Sequence, residues 1–278
     1  MFDAGSRYET SLLQRASGGL RASFRVRDDM TVLDALHQSG CLKARFPHPG
    51  ADGWAELVVV NSSGGVAAGD RLSGRFAVAP GARVTITAPA AERFYRARPG
   101  EAPAEIDTRI EVAPCAAVEW LPQESIAYDA AAVSRRLDVE IAAGASFLAT
   151  EMLVFGRALM GESVRRLRWR DRLAISRDRS PLLHDAMRID GDAASLLTRR
   201  SVSGDSRAVA TLVYAAADAE ARLPDLRQAL APAEAGASAE NGLLLARILA
   251  PSGAALRRAV EKALFALRGR PLPRVWLC

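Results

Sequence analysis

The feature that most constrains this chain is a weak internal repeat. Three segments share one plan, in which an aliphatic residue leads into a tight turn, a strand follows and an aromatic residue closes the unit. They are VAPGARVTITAPAAERFY (78–95), VAPCAAVEWLPQESIAY (112–128) and IAAGASFLATEMLVFGR (141–157). Repeats of this length stack so that each unit buries its apolar face on the next. The sequence therefore predicts a mainly β fold of strands wound in a β-helix-like arrangement, and a β-sandwich is the alternative.

The rest of the chain fits around this β body. Short strand candidates fill most of residues 18–215. Clear examples are Leu20–Val26, Trp54–Val60 and Val84–Ala88. We expect a single domain over residues 1–278, with a loosely ordered start at 1–17.

Residues 216–278 should form a small α-helical part, with two helices and one strand packed on the β body. Residues 220–230 are the first helix candidate, 235–241 a loop and 243–250 a buried strand. The last helix follows Ser252, and its apolar stripe consists of Leu256, Val260, Leu264 and Leu267.

Composition excludes several classes of protein. Hydrophobic residues make up 49% and charged residues 25%, which is ordinary for a folded domain. The net charge of +5 indicates only a mild attraction to acidic partners. Three scattered cysteines, Cys41, Cys115 and Cys278, indicate reduced thiols, the first two buried. A leader-like apolar run and a segment of about 18 apolar residues are both lacking, so we expect a cytoplasmic protein with no membrane partner.

The glycine-rich stretch NSSGGVAAGDRL (61–72) invites comparison with a phosphate-binding loop. Gly64 and Gly69 have the spacing of the two glycines in such a loop, but Asp70 and Arg71 stand where Lys and Ser or Thr are required. An aspartate there would repel a phosphate. Small residues at Gly64, Gly65 and Gly69 instead suit a sharp bend between strands.

Residues for metal or nucleophilic chemistry are sparse. The three histidines, His37, His48 and His184, form no ligand array, so a permanent metal site is not expected. We expect His37 and His48 to lie in surface loops, because their neighbours are polar residues or prolines. A GxSxG nucleophile motif is missing as well.

Five carboxylates lie in or beside the repeat-derived strands, among apolar neighbours: Asp70, Glu92, Glu124, Asp129 and Glu151. Buried carboxylates are costly unless they are paired. Three interpretations stay open. The acids could be structural partners of Arg71, Arg93 and Arg157, they could serve as paired catalytic acids in a carbohydrate-active enzyme, or they could line a wet passage that holds a divalent ion briefly.

A run of alternating arginines occurs in VRRLRWRDRLAI (164–175). Leu167, Trp169, Leu173 and Ile175 fall on one face of the predicted strand, and Arg166, Arg168, Arg170 and Arg172 fall on the other. The single interleaved aromatic points to the apolar side, so a stacking surface for nucleic acid is not formed. The arginine face indicates a solvated surface or an acidic protein partner, and no nucleic acid is expected.

Several motifs together resemble the urease accessory protein family UreD, also called UreH. They are GGVAAGDRL, VAPGARVTITAPAAERFYRA, VEWLPQESIAYD, FLATEMLVFGR and PRVW, and the likeness covers roughly residues 18 to 276. The resemblance implies a mainly β fold with a small helical part near the C-terminus and no catalytic activity of its own.

The resemblance also implies partners and a cargo. Members of this family bind the urease apoprotein and recruit UreF, which carries the GTPase UreG. An internal tunnel that passes Ni²⁺ onward would use buried carboxylates, with Asp70 first, Glu124 and Glu151 next, and Asp129 and Glu92 last. We therefore expect transient Ni²⁺ and no permanently bound cofactor.

Overall fold

Alternating apolar residues build two β-sheets that face each other. The computed structural model describes residues 14–48, 52–157 and 160–277. Strand β5 (Arg71–Val78) is typical, because Leu72, Phe76 and Val78 are buried while the residues between them point outward.

In the described residues the first sheet has seven strands. In spatial order they are β14 (Ser180–Gly191), β13 (Leu167–Arg177), β11 (Ala132–Ile141), β8 (Ala104–Val112), β5, β1 (Ser17–Arg27) and β2 (Met30–Gly40).

The second sheet has ten strands in the described residues. Its main path is β16 (Glu234–Glu240), β17 (Leu243–Ala250), β15 (Ala208–Ala215), β12 (Ser146–Phe155), β9 (Ala117–Leu121), β6 (Arg83–Thr87), β4 (Ala55–Asn61) and β3 (Leu42–Arg45). Two short strands, β10 (Ser125–Ala127) and β7 (Glu92–Phe94), extend from β12 beside this path.

The sequence repeats occupy equivalent positions in this architecture. The chain alternates between the sheets, so that β5, β8 and β11 are parallel neighbours in one sheet and β6, β9 and β12 are parallel neighbours in the other. The three starting residues pair across their strands, Val78 with Val112 and Val112 with Ile141. Tight turns follow at one end of the sheets, and longer loops return the chain at the opposite end.

The mainly β prediction is confirmed, but a β-helix-like arrangement is not what the structure shows. Both sheets are open and mixed, because antiparallel strands such as β2, β14 and β15 pair with the parallel ones. The physical reason is that the chain leaves the repeat at both ends and adds hairpins there, which need only short turns.

The C-terminal part packs on the outer face of the ten-stranded sheet. Helices α2 (Ala219–Leu230) and α3 (Gly253–Arg268) cover it, and the predicted stripe Leu256, Val260, Leu264 and Leu267 is buried there. Ser252 caps α3 by accepting a hydrogen bond from the Ala255 N–H at 3.2 Å, and Gly269 ends it with a positive φ. A short helix α1 (Ala193–Leu197) precedes β15, and a final 3₁₀ turn covers Arg274–Leu277.

Three local predictions are wrong. The predicted loop 235–241 lies in β16, because its small residues pair with β17 as an edge strand despite weak strand propensity. His37, expected in a loop, lies in the edge strand β2. Cys115, expected to be buried, is exposed in a tight turn with a φ of 57°.

We predict a loosely ordered start at residues 1–17. Residues 1–13 and Cys278 lie outside the described residues. Ser17 already belongs to β1. Within the described part of the chain, the helices are all too short or too polar to cross a lipid bilayer.

Candidate functional site

A cavity of about 230 Å³ lies between the two sheets, near the end where the longer loops join them. Its walls include Phe76 and Trp120. On β5 the inward position between Leu72 and Phe76 is Gly74, where an added Cβ would meet the Phe76 ring at 2.9 Å. The Phe76 ring therefore occupies the space of a side chain at Gly74, and the neighbouring strands place Leu20 and Thr108 opposite this glycine.

Three charged side chains, those of Arg135, Glu151 and Asp171, point into the interior beside this cavity. Arg135 of the seven-stranded sheet forms an ion pair with Glu151 of the ten-stranded sheet at 2.7 Å. Arg135 also donates to Asp171 on the neighbouring strand, through Nε to Oδ1 at 3.0 Å and through Nη2 to Oδ2. One guanidinium between two carboxylates leaves a formal charge of one negative unit inside the protein.

Further hydrogen bonds hold this group in place. The Trp120 indole donates to Glu151 Oε1 at 2.7 Å, and Arg135 Nη1 donates to Ser125 Oγ at 3.1 Å. Burial raises the pKa of the Glu151 carboxyl, while Arg135 and Trp120 oppose that shift. Burial alone would lower the pKa of Arg135, but the two neighbouring carboxylates raise it above its usual value. Arg135 is therefore a permanent cation in the cavity wall.

Glu92 is the second acid that lines the cavity. It lies on β7 and accepts a hydrogen bond from the Asn61 amide at 3.1 Å. Burial raises the pKa of Glu92, and the Asn61 hydrogen bond acts in the opposite direction. Of the five predicted acids, Glu92 and Glu151 are thus the two that line the cavity.

The glycine turn forms part of the same wall. Gly64 and Gly65 line the cavity, and Gly64, Gly65 and Gly69 all have positive φ. A Cβ at Gly65 would lie 2.5 Å from the Tyr95 ring, so only glycine fits this approach. Tyr95 in turn donates from its hydroxyl to the Gly64 carbonyl at 2.6 Å.

Asp70 is buried, with 4% of its surface exposed, and both of its carboxylate oxygens are used locally. Oδ1 accepts from the Ala16 N–H at 2.8 Å, and Oδ2 accepts from the Ala67 N–H at 2.7 Å. Asp70 thereby fastens the segment before β1 to the glycine-rich loop. Its role in a tunnel stays a prediction.

Glu124 and Asp129 are also engaged with neighbours. Glu124 pairs with Arg257 of α3 at 3.2 Å. Asp129 Oδ1 accepts from the N–H groups of Arg165 and Arg166 at 2.8 and 2.9 Å, and so joins two loops. Their roles in a tunnel likewise stay predictions.

The arginine run lies where the alternation places it. Leu167, Trp169, Leu173 and Ile175 are buried, while Arg166, Arg168 and Arg170 are exposed. The more covered Arg172 pairs with Asp138 at 2.6 Å, and Arg168 donates to the Glu101 carbonyl at 2.6 Å. The Asp138 carboxylate partly neutralises the face, and the role of the face as a partner surface stays a prediction.

A preformed metal centre is not found among the described residues, which bring together no group of three or more His, Cys, Asp or Glu side chains in a suitable geometry. Glu92 and Glu151 could each offer carboxylate oxygens to a cation in the cavity. Such single carboxylates hold a divalent ion weakly compared with nitrogen-rich sites.

Sequence reasoning missed Arg135 and Asp171. A signal was present in the alternation of β11 and β13, where the inward positions read Val133, Arg135, Leu137 and Trp169, Asp171, Leu173. A charged residue in an otherwise apolar inward series must find a partner inside the protein. The same series on β12 contains Glu151 between Ala149 and Leu153.

The chain was compared with known protein families and curated proteins. The family model "UreD urease accessory protein" matches residues 16–277. A urease accessory protein UreD from Xanthobacter autotrophicus is 42% identical over 96% of this chain and 92% of its own length. UreD proteins of a Methylobacterium species and of Azorhizobium caulinodans are 46% and 43% identical, over 88% and 95% of this chain and 89% and 97% of their own lengths. None of these matches supports the carbohydrate-active alternative.

The match over most of the chain agrees with the motifs around Gly64, Glu124 and Glu151 and with the mainly β architecture. The matching proteins are named urease accessory proteins, which supports a role for this chain in urease assembly. The chain belongs to the UreD family of urease accessory proteins.

Proposed function

We propose that this protein is a non-catalytic scaffold of urease assembly whose interior cavity lets Ni²⁺ pass toward the urease active site. It binds the urease apoprotein and UreF directly, and UreG through UreF. The observation that carries the transfer role is the pair of acids Glu92 and Glu151 in the wall of one cavity between the sheets. The interior group Glu151, Arg135 and Asp171 adds a net negative charge, which favours a cation there.

The chemistry of these residues supports passage rather than storage. Glu151 already shares its carboxylate with Arg135 and Trp120, and Glu92 with Asn61. A passing cation must compete with these contacts, so each acid offers only a weak and temporary site. Urease itself can then remove the ion, because nitrogen ligands bind nickel more strongly than isolated carboxylates.

The nickel content of urease tests the proposed transfer role. We would co-express urease and its accessory proteins with wild-type protein or with the double variant Glu92→Gln/Glu151→Gln, which keeps both side-chain shapes. The expected result is an intact complex and a nickel content per urease that is several-fold lower.

The matched control is Glu105→Gln/Glu111→Gln, which removes the same charge from exposed positions on the outer face of β8. This control should deliver the wild-type nickel load. A full nickel load in the Glu92/Glu151 variant would refute passage along these two acids.

A further inference from the structure

In two loops that line the cavity, and in a third that packs beside them, the acids are covered and the arginines are exposed. In the described parts of segments 88–103, 122–131 and 156–166, every acid is buried or partly buried and every arginine is exposed. The acids are Glu92, Glu101, Glu124, Asp129 and Glu162. The arginines, called here the basic collar, are Arg93, Arg96, Arg98, Arg157, Arg165 and Arg166.

The acids point inward because they fasten the loops. Glu162 accepts from the N–H groups of Arg157 and Asp129 at 3.0 and 3.1 Å, and Glu101 accepts from the Arg98 N–H at 2.8 Å. Glu162 also forms an ion pair with the Arg157 guanidinium at 2.9 Å, and Glu101 forms one with Arg15, so these carboxylates are engaged by local partners. The side chains of Arg96 and Arg166 are 67% and 69% exposed, and their guanidinium groups lie 3.9 Å from Asp129 Oδ2, so the outer surface of these loops stays positive.

The basic collar is continuous with the cavity mouth. Arg93 lines the cavity, and the adjacent Tyr95 holds the glycine turn through the Gly64 carbonyl. The Tyr95 and Tyr128 rings meet edge to face at 5.4 Å, and the Arg157 guanidinium lies 4.3 Å from the centre of the Tyr128 ring. The three loops thus form one connected surface.

A positive rim has a physical consequence for a cation that approaches the cavity. Like charges repel each other, and at physiological salt this repulsion decays over a screening length of about 8 Å, so a free divalent cation meets a barrier at this mouth. An acidic surface pressed against the rim would cancel that barrier. We infer that the basic collar docks an acidic surface of a protein partner, and that this docking opens the cavity mouth to the cation.

A folded protein fits this surface better than a nucleic acid does. Stacking of bases needs free aromatic faces, whereas Tyr95 and Tyr128 pack against each other and Arg157 covers Tyr128. Exposed Pro89 and Ala90 lie on the loop that lines the mouth, and they offer apolar contact beside the charges. The cation-entry half of the inference rests on the transfer role proposed above, and the docking half does not.

Charge reversal tests the docking half. We would compare Arg96→Glu/Arg98→Glu/Arg166→Glu with the control Arg21→Glu/Arg27→Glu/Arg188→Glu, which makes the same change in net charge at exposed positions of β1 and β14. Each is co-expressed with the urease apoprotein and UreF, and the retained partner is quantified at about 150 mM salt. The collar variant should retain about tenfold less of one of these two partners than the control does.

Equal retention by the two variants would overturn the docking inference. Binding of duplex DNA or of phosphatidylserine vesicles that depends on the collar, with partner retention unchanged, would also overturn it. Should charge reversal impair folding, the corresponding Arg→Gln triple variant replaces it, with a smaller loss expected in the same direction.

The cation-entry half has its own measurement. Equilibrium dialysis of the isolated proteins against Ni²⁺ alone should show tighter binding by Arg96→Gln/Arg98→Gln/Arg166→Gln than by wild type, because the positive potential of the collar disfavours a bound cation and glutamine adds no carboxylate ligand. Unchanged Ni²⁺ binding would overturn this half. If Glu92→Gln/Glu151→Gln still delivers full nickel while the collar variant loses its partner, the transfer role fails and the docking surface stands.

Discussion

Arg135 and Glu151 reach across the interior from opposite sheets and form an ion pair at 2.7 Å. Since Asp171 holds the other side of the same guanidinium, the three residues fix the two sheets against each other at the level of the cavity. The interior polar group therefore has a structural part as well as the proposed part in cation passage.

Removal of Arg135 should be strongly destabilising. Arg135→Met leaves Glu151 and Asp171 buried without their cation, which costs about 3–5 kcal/mol in the free energy of unfolding. Urea denaturation measures this loss. Arg109→Met, at an exposed position on β8, should cost less than about 1 kcal/mol. The triple variant Arg135→Met/Glu151→Leu/Asp171→Leu should regain much of the stability, and a triple variant no more stable than Arg135→Met would contradict the explanation.

The two glycines of the turn at the cavity wall should respond differently to alanine. Gly65→Ala places a Cβ 2.5 Å from the Tyr95 ring and 2.9 Å from the Arg93 carbonyl oxygen, so we expect a loss of about 3 kcal/mol. Gly64→Ala meets nothing within 4 Å and bears only the strain of its positive φ, about 1 kcal/mol. Thermal unfolding of both variants ranks them, and the reverse order would contradict the geometry.

The segment after α3 contributes to the stability of the fold through Trp276. Trp276 is 2% exposed, and its indole donates to Thr87 Oγ1 at 3.1 Å and to the Leu121 carbonyl at 3.2 Å. Trp276→Ala should lower the free energy of unfolding by about 3–5 kcal/mol, because it opens a cavity and leaves Thr87 and Leu121 without this donor. The adjacent Leu277 is 79% exposed, and Leu277→Ala should change stability by less than about 0.5 kcal/mol. Equal effects in chemical denaturation would show that the segment does not pack on the sheet.

Glu56 should make stability depend on pH. Burial raises the pKa of this carboxyl above 4.5, although Arg268 and Arg270 lower it and Glu119 adds to the rise. The folded state therefore binds the Glu56 proton more tightly than the unfolded state, and wild type loses this stabilisation as the pH rises through the folded pKa. Glu56→Gln lacks the titration, so its stability relative to wild type should increase between about pH 4 and about pH 7.

Denaturant unfolding at both pH values gives this difference. Glu111→Gln, at an exposed position, serves as the control and should show a smaller change with pH. A relative stability of Glu56→Gln that falls with rising pH would contradict the sign.

The repeat made the β body predictable, because Val78, Val112 and Ile141 begin equivalent units and indeed pair with one another. The open, mixed sheets were not predictable, since the pattern within a repeat does not say how the chain leaves it. Strand β16 escaped prediction because Ala, Gly and Ser have weak strand propensity and the pairing with β17 decides the outcome.

The candidate site was predictable only in part. Glu92 and Glu151 were named as interior acids from their apolar neighbours, and both belong to the cavity wall. Arg135 was missed because the pattern of buried carboxylates does not reveal a buried cation, which is marked only by its inward position on a strand. Asp70 and Asp129 drew attention for the same reason as Glu151, yet their hydrogen bonds to backbone N–H groups depend on loop geometry that the sequence does not reveal.

The alternation of the chain between the sheets also bears on how the molecule folds. Adjacent parallel strands such as β5 and β8 are separated in sequence by two strands of the other sheet, so a completed hairpin cannot nucleate this part of the protein. Non-local pairing of this kind slows folding and leaves strand edges uncovered while the chain emerges from the ribosome. The yield of native protein is therefore set by kinetics, and slower synthesis at low temperature should favour it over aggregation.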